Sequence, residues 1–425
     1  MDIWIKNIDV VTVNEEFEVL RNSNIYIREN KIYHLGSKLE DFSPDKIIDG
    51  KNQVAMPGLI NAHTHIGMSI FRNYGNDVSL ESWLNDYIWP IESKLEPEDI
   101  YYGSSLSLAE MIETGTTSFV DMYFSMDKVA QAVEESGMRA LLGRGLAGHS
   151  DEDLALEEEF YKKWNEGAGG RINTIISPHA VYTNSKEDLI REINLAKKLK
   201  TGMHIHLNES ETEVKNSIAE NGMSPLKYVD SLGLLDERTI AAHCVWLSDK
   251  EVEIAKERKI TMVHNPSSNM KLASGFQQTQ RLLDENINVA LGTDGSASNN
   301  TLDMFEEMKL ASLIAKGYTL DPSALDARTV IEMATVNGAR ALGKKDCLGR
   351  IKEGYLADII LVDFDNIHHS PNNDIVASLV YSTKGSDVVT SIIDGQVVME
   401  DRQIKNLDVK DLRKRVSEIF NRLKD

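Results

Sequence analysis

The sequence predicts an α/β protein: a (β/α)8 TIM-like barrel with a small β-sandwich domain formed from both chain ends. Two patterns support this fold. Residues 1–55 and the stretches near the C-terminus alternate apolar and polar side chains with a period of two, as antiparallel strands do. The middle of the chain, residues 56–345, instead repeats a short apolar run followed by a helical pattern, eight times. We therefore expect a barrel inserted between the two halves of one sheet.

The two β-rich ends are assigned to residues 1–55 and 346–405. Each end alone offers too few strands to bury a face, which favours one composite domain over two unrelated β segments. Asp394 and Gly395 form a pair typical of a hairpin turn. Residues 406–425 carry the spacing of a final amphipathic helix.

Eight apolar runs in the middle are the predicted barrel strands. Each run ends in or near a polar or ionisable side chain, and the carboxyl ends of barrel strands are where such folds place their chemistry. The runs are AMPGLINAH (55–63), TTSFVD (116–121), RALLGR (139–144), NTIISPH (173–179), TGMHIH (201–206), TIAAH (239–243), ITMVH (260–264) and INVALGTD (287–294).

Composition restricts the possible functions and partners. The 425 residues are 41% apolar and 27% charged, which is typical of a folded globular protein. A net charge of −21 argues against nucleic-acid backbones and anionic membranes as partners. Only two cysteines are present, too few for a disulfide framework, which predicts a reducing, cytoplasmic compartment. We find neither a signal peptide nor an apolar run of membrane-spanning length in the sequence.

Histidines concentrate at the predicted strand ends. His63 and His65 are two residues apart, so both side chains lie on the same side of an extended strand. His206 and Asp294 end later strands, as do His243 and His264. Imidazole and carboxylate donors without thiolates suit Zn²⁺ or another divalent first-row metal.

The motifs PGLINAHTH, HIHLNES, AHCVW and LGTDGSASNN together resemble the amidohydrolase superfamily. The resemblance covers essentially the whole chain and is closest to the 5′-methylthioadenosine/S-adenosylhomocysteine deaminase family of the aminohydrolase branch, with its chlorohydrolase-like relatives. It implies that His63, His65, His206 and Asp294 bind one divalent cation, with Zn²⁺ favoured. The fourth strand ends in His179 rather than in a bridging lysine, so the resemblance implies a single metal ion.

The same resemblance implies Glu209, His243 and Asp294 as catalytic residues. A divalent cation lowers the pKa of bound water from 15.7 to about 7, and the resulting hydroxide would attack the amino-bearing carbon. Asp294 would take the proton of that water, His243 would orient the hydroxide, and Glu209 would protonate a ring nitrogen. The expected reaction is hydrolytic deamination of a 5′-substituted adenosine to the inosine analogue and ammonia.

Substrate contacts are expected from Trp89, Glu92, Arg144, His179, Glu209 and Ser298. The resemblance places Glu92 on the ribose hydroxyls, whereas a local pair with Lys94 is the structural alternative. For Arg144 and His179 the alternative is an ion pair at the barrel rim. His204 is expected to be a packed supporting residue, His264 to be pocket wall, and His34, His368 and His369 to be surface groups.

One departure from the family bears on the substrate. The stretch AGHSDEDLALEEEF is acidic and has no arginine that could hold the carboxylate of a homocysteine tail. S-adenosylhomocysteine is therefore no better a candidate than methylthioadenosine or adenosine. The enzymatic alternative is another aminohydrolase, such as a guanine, cytosine or s-triazine hydrolase. A non-catalytic barrel scaffold is the alternative from a different class, and a homo-oligomer is compatible with the sequence.

Overall fold

Strands occupy both ends of the chain and its middle, and the computed structural model describes residues 1–424. The strands are β1 (Ile3–Val11), β2 (Val19–Arg28), β3 (Lys31–Gly36), β4 (Lys46–Asp49), β5 (Gln53–Pro57), β6 (Leu59–Thr64), β7 (Thr116–Tyr123), β8 (Arg139–Leu146), β9 (Ile172–Thr174), β10 (Ser177–Pro178), β11 (Met203–Leu207), β12 (Thr239–His243), β13 (Thr261–His264), β14 (Asn288–Leu291), β15 (Ile359–Asp363), β16 (Val388–Ile393), β17 (Gln396–Glu400) and β18 (Gln403–Ile404).

Strands from the two chain ends form one sheet of nine strands. Their order is β18-β17-β16-β15-β5-β1-β2-β3, and β4 pairs with the first half of β1. The join between the chain ends is the antiparallel pairing of β5 with β15. Isoleucines of β1 and β2 share a core cluster with Ile359, Leu361 and Ile392 from the C-terminal strands. The two chain ends therefore meet in one core, as the period-two patterns predict.

The middle of the chain forms the parallel strands of the barrel. Strands β6, β7 and β8 pair in order, with β9 and β10 both beside β8, and β11 to β14 form a second run. Bridges at Ile176–Met203 and Ala180–His206 join the two runs. On the other side, the backbone N–H of Asp294 donates to the carbonyl of His63 at 3.0 Å, which connects the segment after β14 to β6. This connection brings the predicted ligands of the first and last strands together.

The first apolar run, 55–63, is divided between the two parts of the fold. Its beginning lies in β5 of the large sheet, and β6 of the barrel starts at Leu59. Gly58 lies between them, at a position where a Cβ would be only 2.2 Å from the Thr117 hydroxyl oxygen. The fourth run, 173–179, is likewise interrupted and forms the short strands β9 and β10.

Helices surround the barrel and cover part of the sheet. They are α1 (Leu80–Ser82), α2 (Trp89–Glu92), α3 (Pro97–Glu113), α4 (Met126–Ser136), α5 (Asp151–Trp164), α6 (Gly167–Gly170), α7 (Lys186–Leu199), α8 (Glu211–Asn221), α9 (Pro225–Ser231), α10 (Asp249–Arg258), α11 (Pro266–Lys271), α12 (Thr279–Asp284), α13 (Met304–Thr319), α14 (Ala327–Met333), α15 (Val336–Ala341), α16 (Ile375–Tyr381) and α17 (Val409–Lys424).

Helix α7 illustrates how the sequence sets these elements. Ser185 precedes it, and the Ser185 hydroxyl accepts the Asp188 N–H at 3.1 Å while the Asp188 carboxylate accepts the Ser185 N–H at 3.2 Å. This reciprocal capping satisfies donors that the first turn leaves free. Leu189, Ile193 and Ala196 then recur at helical spacing and are buried. In the described residues, no helix has the length and apolar character needed to cross a membrane.

Candidate active site

A cavity of about 210 Å³ opens at the carboxyl ends of the barrel strands. Its wall includes His65 after β6, His206 on β11, Glu209 after β11, His243 on β12 and Asp294 after β14. The strands end at the same face of the barrel, so residues far apart in sequence converge there. This is the location that the strand-end pattern predicts.

The four predicted metal ligands lie within contact of one another. Asp294 Oδ1 is 3.3 Å from His63 Nε2 and 3.2 Å from His65 Nε2. His206 Nε2 is 3.2 Å from His65 Nε2. All three imidazoles therefore present Nε2 to the same small region beside a carboxylate oxygen.

This donor set fits a divalent cation. His63 Nε2 is buried and has no hydrogen-bond partner among residues 1–424, although a buried polar atom normally requires one. Burial lowers the pKa of His63 to about 3, which keeps that imidazole neutral, the form that binds a metal ion. Against the opposing effect of burial, the hydrogen bond to Asp294 raises the pKa of His65 to about 9, so His65 would release a proton on binding a cation. Imidazole nitrogens with one carboxylate are ligands of Zn²⁺ and related metals.

Neighbouring groups fix the orientation of these imidazoles through Nδ1. His204 Nε2 lies 2.9 Å from His63 Nδ1, and the Met122 carbonyl lies 2.5 Å from His65 Nδ1. The carbonyl of His179 lies 2.7 Å from His206 Nδ1. A partner at Nδ1 leaves Nε2 free to face the cluster.

Glu209 and His243 form the second part of the site. His243 Nε2 is 3.6 Å from Glu209 Oε2, and its Nδ1 is 2.9 Å from Asn269 Oδ1. The Ser274 hydroxyl donates to Glu209 Oε1 at 3.1 Å. Burial raises the pKa of Glu209, so this carboxyl group retains a proton more readily than an exposed glutamate.

Two of these residues occupy the left-handed backbone region. His243 has φ 70° and Asp294 has φ 62°, values that side-chain-bearing residues adopt infrequently. In Asp294 this conformation accompanies the N–H bond to His63 and directs the carboxylate back over β6.

Trp89 and Glu92 line the cavity on the segment that follows β6. A π-helical turn, Trp83–Ile88, precedes them. The Tyr123 hydroxyl donates to Glu92, and burial raises the pKa of Glu92. Lys94, the alternative local partner of Glu92, instead donates to the carbonyl of Leu423 in α17 at 2.9 Å.

Arg144 does not line the cavity with the other predicted substrate contacts. Side chains alternate along β8, so Gly145 lines the cavity while the Arg144 side chain lies on the opposite face of the strand. There its Nε is 3.4 Å from Oε2 of Glu157 on α5. In this structure Arg144 makes an ion pair, the alternative considered from the sequence.

Ser298 also differs from its expected place. The turn after β14 directs its hydroxyl to Asp294 Oδ2 at 2.8 Å, and the Ser268 hydroxyl reaches the same oxygen at 2.6 Å. Ser298 is buried beneath Asp294 rather than at the cavity wall. His179, in contrast, lines the cavity, and burial lowers its pKa to about 4.

Several contacts to the site could not be identified from the sequence. Ser268 and Asn269 come from the polar segment VHNPSSNMK after β13, which predicted a pocket wall but not these bonds. Tyr123 ends β7 beyond the predicted run and holds Glu92. Polar side chains at the end of a barrel strand or just after it are the signal that could have marked all three.

The chain was compared with known proteins. A family model described as the amidohydrolase family matches residues 54–398. The chain is 47% identical over 415 residues to a 5-methylthioadenosine/S-adenosylhomocysteine deaminase of Thermoanaerobacter pseudethanolicus, covering 96% of each chain. It is 45% identical over 431 residues to a 5′-deoxyadenosine deaminase of Methanosarcina barkeri, covering 99% of each. The crystal structure of an adenosine deaminase from Xanthomonas campestris with bound zinc superposes with a TM-score of 0.96 at 34% identity, covering 100% of this chain and 98% of that one.

Proposed function

This chain belongs to the amidohydrolase family, and from that premise we propose that it is a metal-dependent hydrolase that deaminates 5′-substituted adenosines to the inosine analogue and ammonia. The observation that carries the proposal is the convergence of three imidazoles and one carboxylate beside a buried glutamate and a fourth imidazole. Relatives named as deaminases of methylthioadenosine, S-adenosylhomocysteine and 5′-deoxyadenosine support the substrate class.

His63, His65, His206 and Asp294 would hold the cation. When bound, a divalent cation lowers the pKa of a coordinated water and so supplies a nucleophile at neutral pH. Ser268 and Ser298 both donate to Asp294 Oδ2, which leaves Oδ1 directed at the imidazoles. Asp294 can therefore accept a proton without turning away from the cluster.

Glu209 is the group best suited to protonate the purine ring. Burial raises the pKa of Glu209 and so favours its protonated form, and the Ser274 hydroxyl fixes the position of the carboxyl group. Protonation of a ring nitrogen makes the neighbouring amino-bearing carbon more electrophilic. Asn269 Oδ1 accepts the Nδ1 proton of His243, so Nε2 of His243 can accept a hydrogen bond from the attacking water.

Glu92 would bind the ribose hydroxyls and Trp89 would cover the nucleoside. A carboxylate accepts hydrogen bonds from two vicinal hydroxyl groups, and Tyr123 limits the orientations that Glu92 can adopt. The apolar face of Trp89 supplies contact area for a planar ring. A free base or a triazine has no diol, so Glu92 favours a nucleoside over those alternatives.

Within this class, the cavity favours 5′ substituents without a carboxylate. Among the described residues that line the cavity, none is lysine or arginine. Arg144 pairs with Glu157 outside it. Methylthioadenosine and 5′-deoxyadenosine should therefore be better substrates than S-adenosylhomocysteine.

The proposal is tested by ammonia release from the zinc-loaded protein. The substrate panel is 5′-deoxyadenosine, methylthioadenosine, S-adenosylhomocysteine, adenosine, guanine, cytosine and an aminotriazine, ranked by kcat/KM. We expect the 5′-substituted adenosines to rank first, and chelation followed by Zn²⁺ addition to abolish and restore turnover. A higher kcat/KM for a free base or a triazine than for the nucleosides would contradict the nucleoside assignment. Absence of ammonia release from every substrate would support the alternative of a non-catalytic barrel scaffold.

A further inference from the structure

A second group of potential metal ligands lies in the C-terminal part of the chain. His368 and His369 belong to a short 3-10 turn, Ile367–His369, that follows β15. Asp387 ends another such turn, Gly385–Asp387, directly before β16. The ligand atoms of these three side chains lie within 4.8 Å of one another.

His369 is the unusual member of this group. The sequence predicts a surface residue, but the structure buries its side chain completely. Neither ring nitrogen has a hydrogen-bond partner in residues 1–424. The ring stacks on Phe364 at 4.1 Å between centroids, which fixes its plane and directs its edge toward Asp387. The nearest acceptor, Asp387 Oδ2, is 3.5 Å from Nε2. A buried imidazole without a hydrogen bond of normal length requires an explanation, because such groups are normally hydrogen-bonded.

We propose that His368, His369 and Asp387 bind a second divalent first-row cation, with Zn²⁺ as the best fit. Asp387 Oδ2 lies 2.8 Å from His368 Nε2 and 3.5 Å from His369 Nε2. Zinc bonds of 2.0 to 2.2 Å in a tetrahedral site place donor atoms about 3.3 Å apart, between these two distances. Two imidazoles and one carboxylate are also a donor set that zinc accepts.

The surroundings allow a cation to enter and hold it at a junction of the fold. The His368 side chain is 34% exposed, which gives access from solvent and leaves room for water as a further ligand. The Lys384 N–H donates to Asp387 Oδ2 at 2.9 Å, and the Gly385 N–H donates to Asp303 at the start of α13 at 3.0 Å. The site therefore links β15 and β16 of the sheet to a barrel helix, so the cation stabilises this junction rather than taking part in deamination.

Metal counting on the full chain tests this site. Metal-free protein is equilibrated with Zn²⁺ alone, dialysed and analysed for zinc by mass spectrometry. We expect two zinc ions per chain in the unsubstituted protein and one in His368→Ala, which keeps its deaminase activity. His34→Ala is the matched control, because His34 is also a partly exposed histidine paired with a carboxylate, Glu353, at 2.8 Å. It should retain both ions.

A second measurement separates this site from the one in the barrel. In a His206→Ala background, which weakens the barrel site, Zn²⁺ should raise the thermal unfolding midpoint by about 2 °C or more. Adding His368→Ala should remove that shift. The proposal of a second site would be wrong if the zinc content were the same in the unsubstituted protein, in His368→Ala and in Asp387→Asn. If His368→Ala lowered the zinc content and His206→Ala did not, the result would instead contradict the proposed metal site in the barrel.

Discussion

Arg144 and Glu157 form an ion pair on the outer face of the third barrel strand, with 3.4 Å between Nε and Oε2. Glu157 is fully buried; burial raises its pKa to about 8 against the opposing effect of the Arg144 guanidinium, so the pair is fully ionised only above that pH. The pair holds the arginine among the surrounding helices. The cavity wall therefore lacks the guanidinium group that the sequence led us to expect there.

The first prediction concerns the 5′ substituent of the substrate. We expect kcat/KM for methylthioadenosine to exceed that for S-adenosylhomocysteine by about tenfold or more, a difference of about 1.4 kcal/mol in transition-state binding. Ala147 lines the cavity and is exposed. Ala147→Arg should therefore reduce the ratio of the two kcat/KM values, because its guanidinium can pair with the carboxylate of S-adenosylhomocysteine. Ala147→Gln controls for side-chain size. Equal kcat/KM for the two substrates in the unsubstituted enzyme would contradict this prediction.

The second prediction concerns proton donation by Glu209. Glu209→Gln keeps the shape of the side chain but cannot deliver a proton, so kcat should fall by about 10²- to 10⁴-fold. Zinc content should not change, because Glu209 is not among the proposed ligands. Glu211→Gln, an exposed neighbour that pairs with Lys215 at 2.8 Å, is the control and should retain activity. Near-normal kcat in Glu209→Gln would exclude Glu209 as the proton donor.

The third prediction concerns recognition of the ribose by Glu92. Glu92→Gln should lower kcat/KM for nucleosides by about 10- to 100-fold, since an amide accepts fewer hydrogen bonds from a diol. Tyr123→Phe should have a smaller effect in the same direction, because it frees Glu92 without removing the carboxylate. Glu98→Gln, an exposed residue paired with Lys128, serves as the control. Unchanged nucleoside turnover in Glu92→Gln would refute the nucleoside assignment.

The fourth prediction concerns the pH dependence of stability. Glu192 is fully buried, neither carboxyl oxygen has a hydrogen-bond partner among the residues described, and burial raises its pKa well above 4.5. The folded state then binds a proton that the unfolded state releases, so stability falls as pH rises above about 4.5. Glu192→Gln should remove this loss and increase the free energy of unfolding by roughly 1 to 3 kcal/mol at pH 8.

Denaturant unfolding at pH 5 and pH 8 checks this prediction. The stabilisation by Glu192→Gln should be larger at pH 8, where the charged form is more costly to bury. Glu187→Gln, on the first turn of the same helix and exposed, should show no pH-dependent difference. An equal effect at both pH values would indicate that Glu192 does not titrate in this range.

Local periodicity in the sequence predicts the architecture, and the resemblance to a known family adds the choice of metal ligands among the polar residues at the strand ends. Period-two alternation identifies the strands of the terminal sheet, and repeated short apolar runs identify the barrel strands. Polar residues at the carboxyl ends of the barrel strands face the same barrel mouth. His63, His65 and Asp294 converge for this reason. The division of the first run at Gly58 could not be predicted, because it depends on the pairing of β5 with β15 and of β6 with β7, both far away in the chain.

Side-chain direction is the other limit of sequence reasoning. Arg144 ends the third predicted run, but whether it faces the cavity or the helices depends on which face of β8 its position occupies. Ser298 and His369 differ for a related reason, since turns outside regular strands determine where they lie. In such segments the spacing of residues in the sequence does not predict the direction of a side chain, which depends on tertiary packing.

The left-handed conformations of His243 and Asp294 have a consequence for engineering this protein. Each such residue costs roughly 1 to 2 kcal/mol relative to ordinary backbone geometry, and the surrounding contacts compensate for it. A selection for heat tolerance alone would therefore favour glycine or asparagine at these positions and lose the side chains that the reaction needs. Exposed left-handed residues such as Lys259, which directly follows α10, offer the same gain from glycine without that loss.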